Sequence, residues 1–275
     1  MPATEPEDLL RGTRAAVFDL DGTLYLGDRV VDGALDLLKF LEDRSIQPFC
    51  CTNNTSKSTK QLFEKLSRMG IPIAPGRVYG SGRATALFVK EMGHRTVYCI
   101  GTDGLKGELH DAGVQTCEDD SKGDALVVGL DTDFNATKLS GAVRVMNRGG
   151  AAIACNRDSR YPVENGKTLP ACGSIVSAIE KASGKRIPWA VGKPNPYMLK
   201  LLGDDWKLKM EEILVIGDSY ASDIAMARQC GCKSILISGR KYPGTLVVES
   251  VLQMRHIMGR QRKTKHLTSP GPTPV

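Results

Sequence analysis

Two rhythms of hydrophobic residues alternate along the chain. Short, largely apolar runs cover 15–20, 46–52, 96–100, 125–129, 151–155, 213–217 and 234–237, the length and character of buried strands. Between them, apolar positions recur every three or four residues, as at Leu35, Leu38 and Leu41 within 32–43, which predicts helices. Further helices are expected over 59–69, 83–92, 105–112, 136–148, 175–183, 196–203 and 222–230. Ser58 stands where a cap belongs, and Gly70 and Pro72 close the second helix. Strands that alternate with helices predict βαβ units and a parallel sheet. These units are too many for one small sheet, so the middle block reads as a second α/β unit. No Ser/Gly-rich linker marks the seams, and 156–170 reads as a Gly/Pro-containing loop.

Composition narrows the class. The chain has 275 residues, 41% hydrophobic and 25% charged, which fits one large or two ordinary globular domains. Apolar runs such as 15–18 and 213–216 are strand-sized, so no membrane-spanning segment is expected. The net charge of +6 is concentrated at the carboxyl end. After Glu249 there is no Asp or Glu, while Arg255, Arg260, Arg262, Lys263 and Lys265 follow; removing these five leaves +1. The surplus therefore belongs to a Pro-rich tail expected to be solvated and disordered, and binding to nucleic acid is not expected. Eight cysteines (Cys50, Cys51, Cys99, Cys117, Cys155, Cys172, Cys230, Cys232) form no CxxC pair and mostly sit in apolar runs. They read as free thiols in a reducing compartment. The amino terminus carries acids and lacks an apolar signal region, so the expected location is the cytoplasm.

Four stretches carry candidate chemistry. In Val17-Phe18-Asp19-Leu20-Asp21-Gly22-Thr23 an apolar strand ends in two carboxylates and a Gly turn. Ligands of open α/β sheets bind at that carboxyl edge, and a hard cation such as Mg²⁺ would relieve the repulsion of the pair. Thr52-Asn53-Asn54 offers a hydroxyl and backbone amides ahead of a helix, an anion site in the making. Lys193 lies in a turn stiffened by Pro194 and Pro196, a fixed positive charge suited to a phosphate or carboxylate. Ile216-Gly217-Asp218 ends another apolar strand, with Asp223 five residues on. Singly, each has an ordinary account: an Asp-rich turn, loop chemistry, a solvated lysine, an acid at a helix start. In order, they offer a carboxylate pair, an anion site, a cation and a further carboxylate, and a parallel sheet would gather them on one edge.

As a set, these residues resemble the four motifs of the haloacid dehalogenase superfamily. Asp19-Leu20-Asp21-Gly22-Thr23 is similar to its first motif, Thr52 to its second, Lys193 to its third, and Gly217-Asp218 with Asp223 to its fourth. TNNTSKS, GSGRATA, NRDSRYPVENGKTLPACGS and VGKPNP resemble the NagD and p-nitrophenyl phosphatase branch, with departures at Ala171-Cys172-Gly173 and Tyr161. The resemblance implies a Rossmann-like α/β parallel-sheet core, 1–82 and 187–259, with a smaller inserted α/β cap of the type-2 kind, 83–186, and the disordered basic tail at 260–275.

It implies a Mg²⁺-dependent phosphomonoesterase of small phosphate esters. Asp19 would be the nucleophile forming an aspartyl-phosphate, and Asp21 the general acid and base. Asp19, Asp21 (through its carbonyl), Asp218 and Asp223 would hold Mg²⁺. Thr52, Asn53, Asn54 and Lys193 would bind the phosphoryl group, with Asp223 orienting Lys193. Asn156, Asp158 and Tyr161, in the loop 156–173, are expected to meet the leaving group, and two copies to pair through the cap. The alternatives are a phosphomutase or phosphotransferase using the same intermediate, and a non-catalytic phosphate-ligand sensor.

Overall fold

The computed structural model describes residues 6–163 and 167–258. The chain runs through α1 (Pro6–Leu10), β1 (Ala15–Phe18), a small hairpin of β2 (Tyr25–Leu26) and β3 (Arg29–Val30), α2 (Ala34–Glu42), β4 (Gln47–Thr52), α3 (Thr59–Arg68), β5 (Val78–Gly80) and α4 (Ser81–Glu91). It continues through β6 (Thr96–Ile100), α5 (Asp103–Asp111), β7 (Gln115–Cys117), β8 (Ala125–Val128), α6 (Ala136–Asn147), β9 (Ala151–Ala154), β10 (Arg160–Pro162), β11 (Thr168–Pro170), α7 (Cys172–Ser183) and β12 (Trp189–Ala190). The last section is α8 (Tyr197–Trp206), β13 (Ile213–Gly217), α9 (Ala225–Cys230), β14 (Lys233–Ile237), β15 (Leu246–Val248) and α10 (Val251–Met258).

Two parallel sheets result, an α/β core with a smaller α/β unit inserted in it. The first has the order β15-β14-β13-β1-β4-β5, the second β12-β9-β8-β6-β7. All four residues of β1 are buried because layers cover both faces of its sheet. Ala16 and Phe18 join the cluster of Leu37, Leu41, Leu62 and Met254 from α2, α3 and α10. Ala15 and Val17 point the other way, toward Met198 and Leu202 of α8 and Met226 of α9. Successive strand residues alternate between faces, so a continuous apolar run is what a doubly covered strand requires. Phe49 meets Trp206 edge-on, with ring centroids 5.1 Å apart. This second cluster continues without a break into the smaller sheet through Val97, Leu126 and Ile153.

Several expectations need correction. The second sheet keeps Trp189–Ala190, paired with β9, so the return to the first sheet comes after 190, not at 187. The loop expected over 156–170 contains the antiparallel pair β10 and β11. The helix expected from 222 begins as a π-helical turn over Tyr220–Ile224 before α9. All eight cysteines are free thiols, five of them buried. Among the described residues no helix is long and apolar enough to cross a membrane. The tail assigned to 260–275 lies outside the described residues.

Candidate active site

The order of the first sheet decides which loops meet. β1 lies between β13 and β4, with Phe18 level with Ile216 on one side and Cys50 on the other. In a parallel sheet all three strands end on the same edge, so Asp19, Thr52 and Asp218 emerge side by side. The Asp19 amide still donates to the Ile216 carbonyl at 2.9 Å, fixing the start of the first loop. The chain then turns sharply at Gly22, whose φ is +91° and whose absent Cβ would run into the Asp218 carboxylate. Only glycine meets both conditions.

Lys193 arrives by a different route. It follows β12, a strand of the second sheet, so the expectation that one sheet edge gathers all four stretches holds for three of them. Its side chain, 3% exposed, reaches across to the first sheet. Nζ donates to Asp19 Oδ1 at 2.5 Å and to Asp223 Oδ1 at 2.7 Å. Burial opposes the charge on Lys193, but the Asp19 and Asp223 carboxylates outweigh it and hold the ammonium protonated. Asp223 lies beneath the site. Its second oxygen accepts the Ser219 amide at 3.1 Å, which ties it to the fourth motif's own loop.

Oxygens of Asp19, Asp218 and Asp223 lie within 4.8 Å of one another. Three carboxylates against one ammonium leave a surplus of negative charge. Burial, together with Asp19 and Asp223, pushes Asp218 up to about 7. A hard, oxygen-only donor set with excess negative charge suits a divalent cation such as Mg²⁺. Asp21 is also pushed above the usual carboxylate range, first by burial and then by Asp19. Its opposing partner is a long hydrogen bond from Asn54 Nδ2, at 3.5 Å. Two neighbouring carboxyls in unlike environments, one with its proton affinity raised by burial, are the arrangement that divides acid from nucleophile.

A cavity of about 260 Å³ opens above these groups. Asp19, Asp21, Thr52, Asn53, Asn54, Asn156, Asp158, Tyr161, Lys193 and Asp218 all line it; of the residues assigned a catalytic, binding or metal role from the sequence, only Asp223 does not. Thr52 Oγ1 accepts the Asn54 amide at 3.1 Å, leaving its hydroxyl proton free to donate into the cavity. Sequence reasoning gave no role to Ser56, Leu130 and Arg160 in the wall. Ser56 and Arg160 lie inside the stretches TNNTSKS and NRDSRYPVENGKTLPACGS and Leu130 in neither, and the placement of Leu130 and Arg160 depends on the second unit folding over the first.

Comparison with known proteins follows the same lines. A family model described as haloacid dehalogenase-like hydrolase matches residues 16–115, and a second, HAD-hydrolase-like, matches 190–254. An acid sugar phosphatase from Staphylococcus haemolyticus is 33% identical over 227 residues, covering 82% of this chain and 85% of its own. A human glycerol-3-phosphate phosphatase is 30% identical over 264 residues, covering 86% and 82%. The crystal structure of a 4-nitrophenylphosphatase from Thermotoga maritima superposes with a TM-score of 0.82 at 27% identity, covering 91% of this chain and 99% of that one.

Proposed function

The chain belongs to the haloacid dehalogenase-like hydrolases and is a phosphoric monoester hydrolase of the p-nitrophenyl phosphatase-like branch; from that premise we propose a Mg²⁺-dependent hydrolysis of small phosphate esters through an aspartyl-phosphate on Asp19. The observation that carries the reading is the Lys193 ammonium, held between Asp19 and Asp223 at the floor of the cavity. A cation fixed against the nucleophile lets a doubly charged phosphate approach a carboxylate.

Asp19 attacks phosphorus in line with the ester oxygen. A new P–O bond forms as the old one breaks, and Asp21 gives its proton to the departing oxygen. Asp21, now ionised, takes a proton from the water that attacks the aspartyl-phosphate, which releases inorganic phosphate and restores both groups. Thr52 Oγ1 and the loop amides after it hold the equatorial oxygens, and Lys193 offsets their charge. Preorganised charge of this kind supplies most of the catalysis of phosphoryl transfer. The side chains of Asp19 and Asp218 and the Asp21 carbonyl would hold Mg²⁺, with Asp223 completing the acidic cluster. When bound, the ion supplies positive charge to neutralise the phosphate.

The second unit acts as the cap, its Leu130, Arg160 and Tyr161 walling the cavity. A cavity of about 260 Å³ suits sugar and polyol phosphates, the classes named for the two relatives. A reducing, cytoplasmic setting agrees with eight free thiols. The test is hydrolysis of p-nitrophenyl phosphate with and without Mg²⁺. Turnover is expected to require the ion and to vanish in Asp19→Asn; unchanged turnover in that variant would refute the mechanism.

A further inference from the structure

We infer that Asn53 is a positioning residue for Lys193 and that Asp158, expected to touch the leaving group, acts instead as the anchor of Asn53. This inference rests on the phosphatase reading above. A primary amide has two N–H donors and one oxygen acceptor, and all three are committed at Asn53. Its Oδ1 accepts the Lys193 amide at 2.8 Å. Its Nδ2 donates to the Lys193 carbonyl at 3.0 Å and to Asp158 Oδ2 at 2.8 Å. No side-chain donor is left for a phosphate oxygen, so only the backbone amide of Asn53 remains to serve the substrate.

The backbone of Asn53 is held just as firmly. Its carbonyl accepts Asn156 Nδ2 at 2.7 Å and Ser81 Oγ at 3.1 Å. Asn156 Oδ1 in turn accepts the Asp158 amide at 3.1 Å. The neighbouring Gly192 leaves room for this arrangement, since a Cβ there would strike Asn53 Oδ1 and the Cys155 carbonyl. Asn53 therefore grips both polar groups of the Lys193 main chain, and the cap loop 156–158 grips Asn53. These contacts join the cap to the phosphate loop after β4 and to the catalytic ammonium. A shift of about an ångström in a catalytic group costs on the order of 100-fold in rate, so this junction is where the cap sets the position of Lys193 Nζ against Asp19.

Two substrates with unlike leaving groups separate positioning from leaving-group contact. Asn53→Asp keeps the shape and the acceptor, removes both donors and sets like charges face to face across Asp158. It is expected to lower kcat by about 10- to 100-fold, equally for p-nitrophenyl phosphate and glycerol 3-phosphate, with little change in KM. The double variant Asn53→Asp/Asp158→Asn restores a donor opposite an acceptor between the two side chains but not the bond to the Lys193 carbonyl, and is expected to recover part of the loss. Asp158→Ala removes the anchor from the cap side, leaves the phosphate loop untouched, and should give the same substrate-independent fall in kcat should Asn53→Asp fail to fold. Amide hydrogen exchange over 156–161 should quicken in Asn53→Asp and slow again in the double variant. Wild-type kcat in Asn53→Asp, or a rise in KM for glycerol 3-phosphate alone in Asp158→Ala, would overturn the inference. Should the wild-type protein hydrolyse neither ester, the phosphatase reading fails, and the exchange measurement still decides the linkage: unchanged exchange in Asn53→Asp refutes it.

Discussion

Lys193 is the residue on which the site's electrostatics turn. Its ammonium is buried between Asp19 and Asp223, and removing one partner of a buried ion group strands the others. Lys193→Met is therefore expected to lose about 3–5 kcal/mol of stability along with turnover. Adding Asp223→Asn should return part of the stability and none of the activity; denaturant midpoints and p-nitrophenyl phosphate assays check the pair. Asp158 gives a pH signature of opposite sense. Burial raises its carboxyl above the usual range, more than the Asn53 hydrogen bond lowers it. A raised folded-state pKa means that its contribution to stability is fully present below the unfolded value and is lost as pH rises through the folded one. Asp158→Asn should thus melt above wild type at neutral pH, with the gap closing in acid, as thermal melts across pH 3–8 would show. Asp19, Thr52 and Asp218, which the fold brings together, were legible because each followed an apolar run whose end had to lie on a sheet edge, and Lys193 because Pro194 and Pro196 stiffen its turn. The true role of Asp158 was not, since its partner Asn53 lies 105 residues away and nothing local in either stretch announces the bond.

Elements with a full period and a terminal signal were read correctly. α3 is the clearest case: Ser58 accepts the Gln61 amide at 3.2 Å, and Gln61 Oε1 accepts the Ser58 amide at 2.8 Å, a complete capping box. Ser58→Ala is expected to cost about 1 kcal/mol, seen as a lower denaturant midpoint with kcat unchanged, because α3 starts after the phosphate loop ends. Elements of two or three residues escaped. β2, β3, β5, β10 and β11 are too short for any periodicity to accumulate; β5 adds to the edge that β4 presents, while β2 with β3 and β10 with β11 pair only with each other. The π turn at Tyr220–Ile224 escaped as well. Within it Asp223 accepts the Ser219 amide while bonded to Lys193, a side chain 30 positions away that no local pattern announces.

At the scale of the molecule, the second unit was foreseen from the excess of strand–helix pairs, but how it grips the first was not. The grip is a seam along the phosphate loop. Thr55 Oγ1 accepts the Leu130 amide at 2.8 Å, and Thr102 Oγ1 donates to the Thr55 and Ser56 carbonyls at 3.1 and 3.2 Å. The buried Glu108 carboxylate accepts the first amide of α3, that of Thr59. Gly104 is a tight point of this seam, since a Cβ there would lie 2.7–2.9 Å from the backbone of Lys57 and Ser58. Backbone cannot yield as a flexible side chain does, so a branched residue at 104 must lever α5 away from α3. Gly104→Val is expected to cost about 1–3 kcal/mol through overpacking and to loosen the cap. Loosening the cap displaces Leu130, a wall of the cavity, and strains the loop that carries Thr52 and Asn53. KM for small esters should therefore rise, while phosphorylated peptides, which an intact cap is expected to shut out, gain measurable turnover. An unchanged KM with peptides still refused would show that the seam holds the two units together without shaping what enters the site.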